Sequence, residues 1–186
     1  LYILKEFFFF FLNSKNLESR NKQIYLNPEK RENYIFNSTI NGIEETDFIM
    51  LIGTNPRFEA TMLNARIRKA YLNNNTKIVS LNDVGDLTYP YQSLDGKTET
   101  IKNIIEDKNE ISRYIKDSKK PLFILGESFL KVKAANYLFQ SLKKFLSENG
   151  KFIDDWNPLN ILSTNASTVG SFDLGLVDET NKVLGD

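Results

Sequence analysis

The chain contains neither cysteine nor histidine. Without thiols it forms no disulfide, offers no thiolate nucleophile and holds no iron–sulfur cluster of its own. Without imidazoles it lacks the commonest zinc ligand and the usual proton shuttle. Carboxylates, lysines, tyrosines and serines remain, so a carboxylate-bound magnesium site or a lysine-based reaction is conceivable, but no motif favours either. We therefore expect no catalytic residue and no metal ligand in this chain.

An excess of charge is also missing, because 24 Lys and Arg balance 24 Asp and Glu. No field of the whole molecule attracts nucleic acid or an anionic membrane surface. Hydrophobic residues make up 41% and charged residues 26% of the 186 residues, close to the usual composition of a folded domain. We expect one α/β domain, or part of a larger one, with no nucleic-acid partner.

Long apolar runs are scarce. The longest covers 1–12, has Phe7–Phe11 at its centre and is interrupted by two charged residues. It is too short to span a bilayer, which takes about 20 apolar residues, so we expect no transmembrane segment. The favoured interpretation is a buried helix or strand, and the alternatives are a targeting remnant or a face covered by a partner. This run and a polar loop form a predicted N-terminal segment, 1–33.

Residues 34–186 are predicted to form an open, mainly parallel, doubly wound sheet flanked by helices. The apolar run Phe48–Ile52 ends at Gly53 and is typical of a strand buried on both faces. A crossover helix over 58–72 and a strand over 77–81 complete a right-handed β–α–β unit. The apolar positions assigned to that helix are Met62, Leu63, Ile67, Ala70 and Tyr71.

The strand–glycine–helix pattern then recurs. After a helix predicted over 98–115, the run 122–125 predicts a second buried strand that ends at Gly126. The periodicity of 134–146 predicts a helix that stops at Asn149-Gly150. The tail, 156–186, is rich in Asn, Gly and Asp and is predicted to be irregular.

Ligands of parallel α/β sheets bind where strands meet the following helices, which makes the loop after the first strand the first candidate site. That loop consists of Gly53, Thr54, Asn55, Pro56 and Arg57. In one interpretation its side chains and N–H groups hold a phosphate or a guanine edge. In the structural alternative, Gly53 closes a turn, Asn55 and Pro56 start a helix, and Arg57 pairs with an acid such as Glu59.

Three other features have a purely structural interpretation as well as a functional one. The loop Gly126–Ser128 is a possible nucleotide cradle but is more typical of a plain turn. The adjacent acids Glu44/Glu45 and Asp154/Asp155 are expected to be solvated turn residues, since neighbouring carboxylates do not point at one atom. The basic stretch 66–69 is expected to be a solvated face or a docking surface.

Several stretches of the chain closely resemble one family. The matching stretches are Tyr34–Asp47, Ile52–Ala60, Asn64–Lys69, Asp86–Tyr89, Lys120–Gly126, Trp156–Leu162 and Phe172–Gly175. They cover about 34–175, and they resemble the 75 kDa subunit family of respiratory complex I, also called NADH dehydrogenase subunit 11. The first stretch is long enough to be specific.

The resemblance implies a molybdopterin-oxidoreductase-like fold, because the carboxy-terminal part of that family has this fold. Its amino-terminal part carries iron–sulfur clusters, which would then lie on a separate chain or have been removed. The loop Gly53–Arg57 corresponds to one that helps hold the nucleotide end of the pterin in molybdenum enzymes, and here it is expected to be vestigial. Thr61 departs from the family's usual Pro. The chain is also shorter than the family's domain, which implies an incomplete sheet with an unpaired edge.

The resemblance therefore implies a structural and assembly role in the NADH-oxidising arm of complex I, without a cofactor in this chain. Iron–sulfur clusters, FMN and NADH are expected on partner chains, the main partner being the iron–sulfur-bearing part of the 75 kDa subunit. The alternatives are an oxidoreductase domain that keeps its molybdopterin or nucleotide, and a stand-alone nucleotide-binding module. An A/T-rich residue bias and the lack of a presequence favour an organelle-encoded protein on the matrix side of the mitochondrial inner membrane. The alternative location is the cytoplasm of a bacterium.

Overall fold

A five-stranded parallel sheet forms the centre of the protein in the computed structural model, which describes residues 1–14, 17–19 and 24–177. The strands are β1 (Phe48–Ile52), β2 (Lys77–Ser80), β3 (Gln92–Ser93), β4 (Pro121–Gly126) and β5 (Leu159–Leu162). Their order in the sheet is β3-β2-β1-β4-β5, and every neighbouring pair is parallel. The predicted α/β fold with an open parallel sheet is confirmed.

Side chains of β1 alternate between two apolar layers, as the pleat of a strand requires. Phe48, Met50 and Ile52 pack into the larger layer, whereas Ile49 and Leu51 pack into the smaller one. All five residues are buried, which explains why the run is continuously apolar rather than alternating. β4 is likewise buried along its whole length.

Helices cover both faces of the sheet. The α-helices of the described residues are α1 (Tyr2–Glu6), α2 (Pro56–Glu59), α3 (Thr61–Asn74), α4 (Thr98–Ile105), α5 (Glu110–Asp117), α6 (Glu127–Leu130), α7 (Ala135–Glu148) and α8 (Thr168–Asp173), and α1 alone among them contains no buried residue. The buried side of α3 contributes to the smaller layer, and the buried sides of α4, α5 and α7 contribute to the larger one. The sheet is therefore wound on both sides, and its carboxyl edge is left to the loops.

Two predicted helices are interrupted. The helix predicted over 58–72 is broken at Ala60, whose backbone leaves the helical region (φ −153°, ψ 73°). The helix predicted over 98–115 is split because Asp107 adopts a left-handed conformation (φ 62°) and Asn109 starts α5 by accepting a hydrogen bond from the Ile111 N–H. Met62, assigned to the buried face, is instead 71% exposed.

The N-terminal apolar run is helical but is not buried by the described chain, which corrects the favoured interpretation. α1 continues into one π-helical turn, Phe7–Phe11, and neither segment contains a buried residue. Phe10 and Phe11 are each 78% exposed. The five consecutive Phe residues point around the whole helix, so the one-sided apolar spacing that predicts burial against a sheet is absent. Across the described residues, no helix combines the length and apolar character needed to cross a membrane.

The tail is more regular than its composition predicts. It contributes strand β5 and helix α8, while 178–186 lie outside the described residues. The pattern of β5 does not predict a strand because a buried polar residue, Asn160, stands in its middle. The outer edge of β5 is partly covered, since the Ile161 N–H donates to the Ile35 carbonyl and Phe36 forms an antiparallel bridge with Asn160.

Candidate functional site

The candidate site lies where the winding of the sheet reverses. The chain passes from β1 outward through β2 and β3, and then crosses back to β4 and β5 on the other side of β1. Ligands of open α/β sheets bind at this switch point, beside the carboxyl ends of the two central strands. Here those ends are followed by the loop Gly53–Arg57 and by the turn from Gly126 into α6.

The two loops are in backbone contact. A Cβ atom placed on Gly126 would lie 2.3 Å from the Gly53 carbonyl oxygen and 2.6 Å from Cβ of Thr54. A Cβ atom on Gly53, which has φ of 65°, would lie 2.4 Å from the backbone nitrogen of Phe129. Both positions therefore require glycine, and the crevice between β1 and β4 is filled by main chain.

The donors of the first loop are used within the chain. Glu59 accepts a hydrogen bond from the Thr54 hydroxyl (2.7 Å) and another from the Asn55 N–H (2.9 Å). The Asn55 side chain caps α2 by accepting from the Arg57 N–H (3.1 Å), and its amide donates to the Val84 carbonyl (2.9 Å). This is a variant of the capping box, in which a glutamate reaches back to the N-cap residue. The predicted start of a helix at Asn55 and Pro56 is confirmed.

Arg57 does not pair with Glu59, which corrects the predicted partner. Its guanidinium donates to both the carbonyl and the carboxylate of Asp86, each at 2.6 Å. The pKa of Asp86 is lowered, chiefly by the hydrogen bond from the Thr88 N–H and then by Arg57. Glu59 is unavailable to Arg57 because its carboxylate turns back to the start of the loop.

A cavity of about 480 Å³ lies next to the switch point, at the carboxyl ends of β4 and β5. Its lining residues are Leu1, Ser19, Ile24, Leu26, Glu127, Leu130, Ile161, Ser163, Asn165, Ser167, Thr168 and Ser171. The set combines an apolar floor with hydroxyl and amide groups and, within the part of the chain that the structure describes, contains no lysine or arginine. Glu127 accepts from the backbone N–H (3.0 Å) and the hydroxyl (2.5 Å) of Thr164, which fixes the loop after β5 to the start of α6.

Comparison with known proteins identifies the fold. The family model described as molybdopterin oxidoreductase matches residues 1–184. The chain belongs to the molybdopterin oxidoreductase family.

The curated relatives of this molybdopterin oxidoreductase family member are NADH dehydrogenase subunits. The chain is 32% identical over 93% of its length to the mitochondrial NADH dehydrogenase (ubiquinone) iron–sulfur protein 1 of Solanum tuberosum. It is 37% identical over 87% of its length to the NADH-ubiquinone oxidoreductase 75 kDa subunit of Reclinomonas americana. It is also 37% identical over 82% of its length to the mitochondrial 78 kDa subunit of Candida albicans. The resemblance found in the sequence is confirmed, although the chain spans only 21–23% of the length of these relatives.

Sequence reasoning gave Glu59 a different role and did not identify Asp86. Glu59 does not neutralise Arg57 but holds the Thr54 hydroxyl and the Asn55 N–H. Its position four residues after an Asn-Pro helix start is the signal that identifies it as a capping group. Asp86 also has a local signal, because Asp two residues before Thr88 is typical of an Asx turn, and its carboxylate accepts from the Thr88 N–H (2.7 Å).

The acidic pairs lie away from the switch point and serve different contacts. Glu44 pairs with Arg66 and with Lys69, and the pKa of its carboxyl is lowered first by Lys69 and then by Arg66. Glu45 pairs with Lys120 (2.5 Å). Asp154 and Asp155 are exposed, as expected for turn residues. Within the described residues, no group of three or more acidic side chains converges as a metal ion would require.

Proposed function

We propose that this chain is a structural and assembly component of mitochondrial respiratory complex I. The relatives bear the names of NADH dehydrogenase subunits, one of them an iron–sulfur protein, whereas this chain has no cysteine with which to hold a cluster. Its role is to pack, as a cofactor-free scaffold, against the iron–sulfur-bearing part of the 75 kDa subunit in the NADH-oxidising arm. The clusters, FMN and NADH belong to the partner chains.

The observation that carries the cofactor-free role is the position of the Glu59 carboxylate. It accepts from the Thr54 hydroxyl and the Asn55 N–H, which are donors that a phosphate of a bound nucleotide would need. Arg57, the one cation of the loop, is already neutralised by Asp86. A phosphate would have to displace one carboxylate and compete with another, so the loop does not fit the nucleotide end of a pterin.

The contact between Gly53 and Gly126 supports the same conclusion. In a dinucleotide site, glycines at strand ends let the backbone approach a pyrophosphate. Here the two glycines let two stretches of backbone approach each other. The space at the switch point is consumed by the protein itself, which stabilises the fold instead of creating a crevice.

The cavity beside β4 and β5 favours a second candidate, an oxidoreductase domain that retains a molybdopterin or a nucleotide. Its volume of about 480 Å³ suits a small ligand, and it lies at the carboxyl edge of the sheet. However, among the described residues its lining carries the carboxylate of Glu127 and no lysine or arginine side chain, which disfavours an anionic ligand. The scaffold role is therefore preferred.

The proposed location is the matrix side of the mitochondrial inner membrane, with the protein encoded in the organelle. Two of the relatives named above are called mitochondrial. The residue bias toward A/T-rich codons supports an organelle gene. Attachment to the membrane is through the rest of the complex.

The test is native electrophoresis of membranes from the source organism, followed by an in-gel assay of NADH dehydrogenase activity and immunodetection of the chain. Co-migration of the chain with the active band is expected. Recovery of the chain only in fractions free of that activity would overturn the scaffold role.

The cofactor is tested separately by metal analysis and by acid release of nucleotides from the purified chain. Substoichiometric molybdenum and tungsten, together with no released guanine nucleotide, are expected. Stoichiometric metal with guanine nucleotide would establish the second candidate in place of the first.

A further inference from the structure

Thr88, in the loop between β2 and β3, has a backbone conformation that threonine rarely adopts. Its φ is 73°, in the left-handed region, where the Cβ of any residue other than glycine is crowded by the backbone. The branched Cβ of threonine makes this conformation a true outlier, and such strain persists only where the surrounding contacts enforce it. The residues that hold the two neighbours of Thr88 are therefore the ones that matter.

One buried side chain, Asn64 of α3, holds both neighbours of Thr88. Its amide nitrogen donates to the Leu87 carbonyl (3.0 Å), and its amide oxygen accepts from the Tyr89 hydroxyl (2.7 Å). Leu87 is fully buried and Tyr89 is 7% exposed. Releasing either neighbour would leave buried polar groups without a partner, and that cost opposes relief of the strain.

The strained residue positions Asp86 over the candidate site. The Thr88 N–H donates to the Asp86 carboxylate (2.7 Å), which also accepts from the Arg57 guanidinium (2.6 Å). The Arg57 and Asp86 side chains are 41% and 74% exposed, and an ion pair so exposed is too weak to hold a loop by itself. The buried hydrogen bonds of Asn64 therefore provide most of the closure.

We infer that residues 83–88 form a strained latch, which Asn64 holds closed over the loop Gly53–Arg57. In the closed state Asp86 occupies Arg57, whereas opening relaxes Thr88 and frees the guanidinium beside the switch point. Strained backbone is concentrated at switch regions, where it lowers the cost of leaving the observed state. The inference goes beyond the proposed function, because it assigns a movement to the candidate site and stands whether or not the chain joins complex I.

Thr88→Gly tests the strain, because glycine adopts a positive φ without crowding. Opening is measured in the full chain by NMR, from hydrogen exchange of the Val84 amide, which donates to the Tyr91 hydroxyl (3.1 Å). Protection of that amide is expressed relative to its intrinsic exchange rate. Thr88→Gly is expected to raise the protection of Val84 about tenfold, because removing the strain stabilises the closed state.

Asn82→Gly is the matched control. Asn82 is an exposed residue of the same loop and is not among the residues with a positive φ, so glycine there adds only flexibility. It should leave the protection of Val84 unchanged or lower it. Protection that is unchanged or lower in Thr88→Gly, as at an ordinary loop position, overturns the strained latch.

Release of Arg57 is measured by its modification with phenylglyoxal, a reagent selective for arginine, followed by mass spectrometry. The exposed Arg113 is the internal standard in the same sample. Asn64→Leu removes the clamp and should raise the rate at Arg57 relative to Arg113 about fivefold, because the guanidinium loses its hydrogen bonds to Asp86. Adding Thr88→Gly to Asn64→Leu should reverse part of this increase.

An unchanged rate at Arg57 in folded Asn64→Leu overturns the inference. If Asn64→Leu does not fold, the comparison of wild type with Thr88→Gly decides, since Thr88→Gly should also slow the modification of Arg57. An Arg57 that reacts as fast in Thr88→Gly as in wild type, or faster, overturns the latch in that case.

Discussion

The carboxylate of Asp173 is held by the guanidinium of Arg31, through two hydrogen bonds of 3.0 and 3.1 Å that join positions 142 residues apart. The Tyr34 hydroxyl donates to the same carboxylate at 2.9 Å, and the Tyr34 ring packs on Phe172 with 4.7 Å between ring centroids. These contacts fasten α8 to the segment that precedes β1. α8 is thus tied to residues 31–34.

This contact predicts an acid-sensitive attachment of α8. Arg31, followed by Tyr34, lowers the pKa of Asp173 from its ordinary value of 3.8. A carboxyl whose pKa is lower in the folded state contributes stability that is complete above the ordinary pKa and is lost as the pH falls through the folded value. We expect the protection of α8 amides from hydrogen exchange, expressed relative to the intrinsic exchange rate at each pH, to fall below pH of about 4, while the protection of β1 is unchanged.

Asp173→Asn provides the matched variant, because it keeps the shape and removes the charge. It should give fast exchange in α8 at neutral pH and abolish the additional change in acid. If the wild-type chain and Asp173→Asn show the same pH dependence in α8, another carboxyl is responsible.

Gly126→Ala is predicted to be among the most damaging single-methyl changes in the sheet. The added Cβ would meet the Gly53 carbonyl oxygen at 2.3 Å, and backbone on both sides cannot move away without separating β1 from β4. We expect a loss of about 3 kcal/mol in the free energy of unfolding, measured by urea denaturation. The control is Gly170→Ala in α8, where a Cβ meets nothing within 4 Å.

Gly170→Ala should be neutral or stabilising by about 0.5 kcal/mol, because alanine favours a helix over glycine. Equal losses for Gly126→Ala and Gly170→Ala would show that the close approach of the two loops is not what makes Gly126 necessary.

The central strands of the sheet can be predicted from the sequence because they depend on local patterns of apolar residues. β1 and β4 are continuous apolar runs that end at glycine, and a strand buried on both faces has this pattern. The β–α–β unit follows from one such strand, a periodic helix and a second strand. The resemblance to a family adds the identity of the fold, which periodicity does not provide.

What could not be predicted depends on long-range contacts. Arg57 meets Asp86, 29 positions away, and nothing near Arg57 in the chain indicates that partner. β5 contains a buried Asn160 whose cost is offset by Ser38, 122 positions earlier. The apolar run 1–12 has no helical or strand periodicity, so its exposure could not be inferred from its composition.

Asn160 is predicted to hold residues 35–38 against the outer edge of β5. Its carbonyl oxygen accepts from the Ser38 N–H at 2.7 Å, and its amide donates to the Ser38 hydroxyl and to the Pro158 carbonyl, each at 3.2 Å. Asn160→Ala leaves the buried Ser38 N–H without its acceptor, which costs about 2 kcal/mol. Increased light scattering on warming is expected as well, because an uncovered strand edge pairs with other chains.

Asn160→Asp is the comparison variant, because its carboxylate keeps the acceptor, loses the two donated bonds and places a charge at a fully buried position beside the Pro158 carbonyl oxygen. It should cost at least as much stability as Asn160→Ala at neutral pH. Scattering that rises for neither variant would mean that Asn160 does not hold residues 35–38 on the edge.

Glu59 is predicted to stabilise the loop as an internal anion. Glu59→Ala removes the acceptor of the Thr54 hydroxyl and of the Asn55 N–H and should cost about 1 kcal/mol, as the loss of a helix cap does. Glu59→Gln keeps one acceptor oxygen and should lose less. Glu99→Ala, at an exposed position in the first turn of α4, is the control and should change stability by less than about 0.5 kcal/mol. A loss of stability for Glu99→Ala that equals the loss for Glu59→Ala would mean that removing any surface carboxylate has this effect. The proposal that the Glu59 carboxylate occupies the position of a bound phosphate would then fail.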